Sequence, residues 1–197
     1  MAWDTRDSWS LPRKGWNNEL ELWGTGGDAS FWAMNLDVRR YVAIGRRQRL
    51  LLSGLASLQS GTVGEDIPEY MIYRLGGANS IRGYKLEDLG RSLFGKSQML
   101  GTAEYSWNLM PLRRWNISKF AFRLGLDFAV FADAGLAWST SDELRWKRGR
   151  GGLGAGLRLL VPGSEMVRFD LGWSEQGGLQ FHLASGSKPT AQRGRIR

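Results

Sequence analysis

Side chains that commonly carry out covalent or acid–base chemistry are scarce in this sequence. Cysteine is absent and His182 is the single histidine, which excludes thiol catalysis, zinc–thiolate sites and sites built from several histidines. No Gly-x-Ser-x-Gly motif, which would place a serine nucleophile on a sharp turn, occurs in the chain. His182 alternates with apolar neighbours, so we interpret it as a structural side chain. The sequence predicts no enzyme and no cofactor.

Two further patterns resemble chemical motifs but fit structural roles better. Residues 149–154 have the spacing Gly-x-Gly-x-x-Gly, yet they lead into a predicted strand, whereas phosphate binding needs a helix N-terminus. We expect these glycines to allow close packing on one side of a sheet, the side that would face the lumen if the sheet forms a barrel. Asp4 and Asp7 have no histidine or further carboxylate nearby. We therefore interpret them as part of a turn or an ion pair, and we predict no metal site.

The polar residues of this chain alternate with apolar ones, which predicts that strands position them. Between Lys119 and Asp133, the even positions from Phe120 to Val130 are all large and apolar, whereas the odd positions include Arg123 and Asp127. A period of two is the side-chain geometry of a strand and not of a helix. The same alternation recurs along the chain. It predicts a partial strand at 1–9 and eight strands near 16–24, 30–44, 48–58, 98–109, 119–138, 150–161, 165–175 and 177–184.

The connections between these strands predict an antiparallel meander with one exception. Most connections are short and turn-like, as antiparallel neighbours require. The long loop, residues 59–97, breaks this rhythm, and a loop of that length is usually functional or disordered. We expect residues 1–184 to form one unit and the polar, basic tail at 185–197 to be disordered.

Composition narrows the class of protein further. The longest apolar run is residues 128–132, far short of the roughly 20 residues of a membrane-spanning helix. The chain has 27 Lys+Arg and 19 Asp+Glu, a net charge of +8, which would attract nucleic acid or anionic lipid. Because the basic residues are dispersed apart from short clusters at 46–49 and 145–148, we interpret the charge as a general bias and expect no nucleic-acid partner.

Two all-β architectures fit the alternation. A soluble sandwich would bury the apolar face against a second sheet, whereas a membrane barrel would turn that face to lipid and keep the polar face for its lumen. Several predicted strands reach the 9–11 residues that cross a bilayer. Aromatic residues also collect near strand ends, as an interfacial girdle requires: Trp16, Trp23, Tyr41, Trp107, Trp115, Trp138 and Trp173. The pattern favours the membrane barrel.

Two motifs resemble the signatures of the BamA/TamA superfamily of bacterial outer-membrane assembly proteins, also called bacterial surface antigens. Ile-Arg-Gly-Tyr at 81–84 is similar to the tetrad on the family's lumen-folded loop, and Phe131, Asp133 and Gly135 match the Phe-x-Asp-x-Gly of its partner strand. The strand after the long loop resembles one that supplies a lumen-facing Glu, here Glu104. Supporting similarities, in the family's order, occur at residues 4–7, 12–15, 101–105, 154–158, 162–163 and 169–171.

The resemblance implies a loop latch. Strand parity places Glu104 opposite Tyr105, and it places Asp133 on the face of Asp127, so both carboxylates point to the lumen. Arg82, on an inward-folded loop, would bridge them by charge-assisted hydrogen bonds, and Gly83 would permit close approach or a positive φ. The predicted loop-latch residues are Ile81, Arg82, Gly83, Tyr84, Glu104, Phe131, Asp133 and Gly135. From the residues alone, a solvated Arg82 in a turn is an open alternative.

The resemblance also implies a function and a location. It predicts a transmembrane β-barrel, of which this chain is the C-terminal half, in the bacterial outer membrane. There it would assist insertion or translocation of proteins without being an enzyme. The implied partners are the lipid bilayer, unfolded outer-membrane or translocated proteins, and periplasmic domains missing from this chain. Since no signal peptide is seen, we expect a fragment or a truncated start. The alternatives are a passive pore or structural barrel, the barrel anchor of a patatin-like phospholipase, and a soluble basic β-protein binding polyanions.

Overall fold

The architecture is a single antiparallel sheet of nine strands with a loop packed on one face. The computed structural model describes residues 1–85, 93–117, 120–161 and 166–186. Each strand of the sheet pairs with its neighbour along the chain, and the first and last strands form its two edges. The strands are β1 (Ala2–Asp4), β2 (Gly15–Thr25), β3 (Phe31–Ala43), β4 (Gln48–Gln59), β7 (Ser97–Ile117), β8 (Phe120–Trp138), β9 (Arg150–Leu160), β10 (Val167–Ser174) and β11 (Gly178–Ser185). The predicted all-β meander is confirmed.

Two short strands and three 3-10 turns complete the described elements. Strands β5 (Tyr73–Arg74) and β6 (Phe94–Gly95) pair with each other inside the long loop. The turns are Glu69–Met71, Ser141–Glu143 and Trp146–Arg148. No helix in the described part of the chain is long and apolar enough to cross a membrane. The tail at 185–197 is predicted to be disordered, but its residues from 187 onward lie outside those that the structure describes.

Two strand boundaries differ from the predicted ones for identifiable reasons. Strand β1 ends at Asp4 because the next residues turn: Asp7 Oδ1 accepts hydrogen bonds from the backbone N–H groups of Arg13 and Lys14. Strand β7 continues to Ile117 instead of ending at 109. Its register against β8 shifts twice between Asn108 and Arg113. Pro111, which lacks an N–H group, lies inside that irregular stretch and interrupts the alternation there.

The two faces of the sheet are the reverse of those in a soluble protein. On the inner face, which the long loop covers, Arg158 is 0% exposed and Asp170 is 1% exposed. On the outer face of β11, Leu179, Phe181 and Leu183 are each at least 60% exposed. Soluble folds bury large apolar side chains and rarely bury charges, whereas membrane barrels turn their apolar side chains outward. The soluble sandwich is therefore wrong for this chain.

The predicted aromatic girdle is only partly right. Trp107, Trp115 and Trp173 lie on the outer face and are 40–53% exposed. Tyr41 and Trp138 are buried instead. Tyr41 shares its strand parity with the buried Ala33, so it faces the interior. A position near a strand end does not show which face of the sheet a side chain is on, because the face depends on strand parity.

The long loop is held on the inner face by two apolar clusters. One cluster joins the loop to β3 and consists of Phe31, Ala33, Ile67 and Ile72. The other joins the loop to β7 and β8 and consists of Leu75, Ile81, Tyr84, Leu93, Leu100 and Ala137. The hydroxyl of Tyr73 adds a hydrogen bond of 3.0 Å to Asn35 on β3. These contacts bring residues 81–84 against the middle of the sheet.

Candidate functional site

Arg82 is fully buried and bonded to Asp133 by three hydrogen bonds. Its Nε and Nη2 atoms donate to the two carboxylate oxygens of Asp133 over 2.8 and 2.9 Å, a bidentate arrangement. Its backbone N–H donates to the same carboxylate over 3.0 Å, and Thr102 Oγ1 lies 2.9 Å from it. Bidentate, charge-assisted pairs are the strongest side-chain hydrogen bonds in proteins. Arg82 therefore joins the long loop to β8.

Four more charged residues extend this pair into a network that spans β7 to β10. Arg82 Nη1 lies 2.9 Å from Glu104 on β7 and 3.4 Å from Asp170 on β10. Arg158 on β9 donates to both carboxylates, with Nη2 2.7 Å from Glu104. The buried ion network comprises Arg82, Arg158 and Arg168 with Glu104, Asp133 and Asp170, and each member is at most 5% exposed. Three positive charges balance three negative ones.

Charge balance keeps the buried Arg82 protonated. Burial on its own would lower the pKa of Arg82, but the hydrogen bonds to Asp133 and the charges of Asp133, Glu104 and Asp170 outweigh it and raise that pKa. Removing one partner of such a buried pair costs about 3–5 kcal/mol, since the remaining charge is left unpaired. The network therefore holds the loop firmly only while it is complete.

The remaining predicted loop-latch residues surround Arg82 by packing. The ring of Phe131 lies under the guanidinium, with Arg82 Cζ 3.4 Å from the ring centroid, a cation–π contact. Gly135 leaves room for the loop, because a Cβ there would lie 3.1 Å from Ile81 Cδ1. Ile81 and Tyr84 belong to the apolar cluster that joins the loop to β7 and β8. The structure thus brings all eight predicted residues together.

Gly83 is required by backbone conformation and by close contact. Its φ is +111°, and a Cβ would lie 2.7 Å from the carbonyl carbon of Trp173 on β10. Its carbonyl oxygen accepts a hydrogen bond of 2.7 Å from Ser174 Oγ, and its N–H donates to His182 Nε2 over 3.3 Å. On β9, a Cβ at Gly152 would overlap the carbonyl oxygen of Arg82. The loop therefore contacts β9, β10 and β11.

Sequence reasoning missed Arg158, Asp170 and Arg168 as members of the site. Their parity offers a signal, because Asp170 and Arg168 alternate with large apolar residues on β10. Parity assigns a face, but it does not say which carboxylate lies opposite which arginine. That depends on the pairing of Asp170 with Gly156, two residues from Arg158.

The other candidate residues, Asp4, Asp7 and His182, each form a contact within the chain. Asp4 forms an ion pair with Arg6 at 2.6 Å, and Asp7 caps a turn, as expected. His182 contacts the loop through Gly83 and serves as a structural side chain. Across residues 1–85, 93–117, 120–161 and 166–186, no group of three His, Cys, Asp or Glu side chains is placed to hold a metal ion.

An antiparallel sheet with an apolar outer face, a charged interior and an inward-anchored loop defines a membrane β-barrel class of protein. The Omp85 superfamily domain matches residues 1–188, and the chain belongs to that superfamily. This confirms the predicted resemblance to the BamA/TamA superfamily.

The similarity extends to a curated relative and to solved structures, of which the following are examples. The chain is 28% identical to outer membrane protein assembly factor BamA of Nitratidesulfovibrio vulgaris, with 73% of this chain and 18% of that protein covered. The crystal structure of BamA from Haemophilus ducreyi lacking POTRA domains 1–3 has a TM-score of 0.68 at 16% identity. It covers 92% of this chain and 40% of that one, which supports the fold. The chain thus spans under half the length of either protein.

Proposed function

We propose that this chain is part of an outer-membrane β-barrel that assists insertion or translocation of other proteins, without enzymatic activity. Residues 1–184 would form the C-terminal part of that barrel. The main support is the long loop, which Arg82 anchors through Asp133, Glu104 and Asp170 on three strands. A passive pore needs no loop tied to so many strands at the cost of burying charges. The similarity to an assembly factor supports the same role.

The outer face of the sheet and the edge of its last strand, β11, suggest the partners. The apolar outer face contacts the lipid bilayer. The outer edge of β11, which has no neighbouring strand among the described residues, would offer backbone N–H and C=O groups to an incoming strand, which is β-augmentation. Unfolded outer-membrane proteins or translocated proteins would be the substrates, with periplasmic domains outside this chain as further partners.

A folding assay on a second protein tests this proposal. The protein is reconstituted into vesicles of phosphatidylcholine and phosphatidylethanolamine, and a urea-denatured β-barrel substrate is added. We expect the substrate to become protease-resistant faster than in protein-free vesicles. Arg82→Ala should abolish most of this acceleration, because loss of the guanidinium weakens loop anchoring by about 3–5 kcal/mol. Arg46→Ala, at an exposed turn, is the matched control and should retain it.

Two results would contradict the proposal. If inserted wild-type protein accelerates nothing but conducts ions, the passive-pore alternative is correct. If Arg82→Ala inserts normally and accelerates substrate folding as well as Arg46→Ala does, the anchored loop has no part in the activity.

A further inference from the structure

The outer face carries a groove that the proposed function does not use. Small residues from neighbouring strands form a row across it, since Gly54 pairs with Gly101, Gly101 with Ala134, and Ala134 with Gly151. The adjacent row contains larger apolar side chains, Leu36, Met99 and Leu136, on either side of Ala56. Together they line an apolar groove of about 970 Å³. This volume accommodates a small ligand.

One end of the groove is covered by the connection between β8 and β9. We call this connection the basic loop, residues 139–149. Its Leu144 and Trp146 line the groove together with Arg150, the first residue of β9. Trp146 is 93% exposed, an unusual state for an indole in a soluble protein. A tryptophan at the edge of an apolar band is typical of the membrane interface.

Hydrogen bonds and an ion pair within the basic loop define its backbone path. The backbone N–H of Ser139 donates to Glu143 Oε2 over 2.8 Å, and Arg148 pairs with Glu143 Oε1 at 3.0 Å. The Ser139 hydrogen bond, with Arg148, holds the pKa of Glu143 below its usual range. Two 3-10 turns close the rest of the loop. This arrangement presents Arg145 and Lys147, both exposed, on either side of Trp146.

Charge complementarity identifies what would occupy the groove. Residues 139–150 contain four basic and two acidic side chains, and one acidic residue, Glu143, already pairs with Arg148. Exposed Lys and Arg beside a membrane surface attract anionic lipids, whereas a membrane helix of apolar residues gains nothing from them. The loop lies at the same end of the sheet as the long loop, because Ser97 pairs with Trp138. Longer loops mark the extracellular side of such barrels.

We propose that the groove and the basic loop bind one anionic, phosphate-bearing lipid of the extracellular leaflet. Its phosphate contacts Arg145 and Lys147, and an acyl chain lies in the groove over Gly54 and Gly101. This inference goes beyond the proposed function and rests only on the outer face lying in lipid.

Fluorescence quenching of Trp146 by brominated lipids tests the lipid site. The protein is reconstituted into phosphatidylcholine vesicles that contain either phosphatidylglycerol or phosphatidylcholine brominated near the head-group end of the acyl chain. The Trp146 signal is the difference between wild type and Trp146→Phe. We expect phosphatidylglycerol to be preferred at Trp146 by about fivefold for each exposed basic residue, equivalent to about 1 kcal/mol each.

Three variants separate the groove from general surface charge. Arg145→Gln/Lys147→Gln should lose most of the preference. Arg46→Gln/Arg47→Gln removes the same charge at the opposite end of the strands and should retain it. Gly54→Leu should reduce quenching by both lipids. A Cβ at Gly54 meets nothing within 4 Å, so a side chain placed there starts in open space and extends into the groove.

The outcomes distinguish this inference from the membrane placement itself. Equal quenching of Trp146 by the two lipids, or equal losses in the two double variants, would overturn the lipid site. Quenching of other tryptophans by brominated phosphatidylcholine would still show that the outer face lies in the bilayer. If Gly54→Leu leaves quenching unchanged, the acyl chain does not occupy the groove and the proposal is wrong.

Discussion

At the scale of single residues, Arg82 shows how a loop is attached to a sheet by charge. Its guanidinium contacts carboxylates on β7, β8 and β10, and the ring of Phe131 occupies its open face. The carboxylates also bind residues other than Arg82. Glu104 and Asp170 both pair with Arg158 on β9, and Asp133 accepts a hydrogen bond from Thr102 on β7. Binding through several shared partners makes the attachment cooperative.

Gly83 provides a residue-scale prediction with an internal control. Gly83 and Gly64 both lie in the long loop at positive φ, +111° and +91°, but only at Gly83 would a Cβ meet a neighbour, the backbone of Trp173. Gly83→Ala and Gly64→Ala each introduce about 1–3 kcal/mol of backbone strain, and Gly83→Ala adds a clash with β10. We expect Gly83→Ala to increase the rate of trypsin cleavage in the long loop well beyond Gly64→Ala. Equal rates for the two variants would show that close contact with β10 does not hold the loop.

Only part of the buried ion network can be predicted from the sequence. The family resemblance indicates Arg82, and the resemblance together with strand parity indicates Glu104 and Asp133. The structure places them in contact, while their role in holding the loop for function stays a prediction. Arg158 and Asp170 were not predicted, since their meeting depends on register between β9 and β10, which alternation within one strand does not contain.

At the scale of elements, β8 shows why most strands were predicted well. Its alternation is uninterrupted, with Val130 and Phe128 outward and Ala129 and Asp127 buried. Strand β7 was predicted too short because Pro111 and the register shifts around it remove the alternation over its second half. Alternation reports a strand only where the ladder is regular.

A charge placed on the outer face of β8 tests the membrane placement of the strands. Val130, near the middle of the strand, is 42% exposed, and Leu144, in the basic loop, is 50% exposed. In lipid, Val130→Arg should lower the free energy of unfolding by about 2–4 kcal/mol and Leu144→Arg by about 0–1 kcal/mol. Guanidinium titration of the protein in vesicles measures both. Similar small effects for the two variants would mean that Val130 faces water.

At the scale of the whole molecule, the apolar outer face requires a membrane or detergent. Large apolar side chains on β7 to β11 form a continuous exposed surface, which soluble monomers avoid. Produced behind a signal peptide in a bacterium, the protein should fractionate with the outer membrane. It should also migrate differently on gels before and after boiling, because a folded sheet resists detergent until heated. A folded chain that stays soluble without detergent would make the lipid-facing assignment wrong.

The positions of Arg82's partners along the chain impose an order on folding. The three carboxylates follow the arginine by 22, 51 and 88 residues. Contacts this distant form late, because the intervening chain must first be ordered. An arginine that enters the interior before Asp170 arrives would have an incomplete set of counter-charges. The long loop, although made earlier than β10, therefore completes its docking only after β10 joins the sheet.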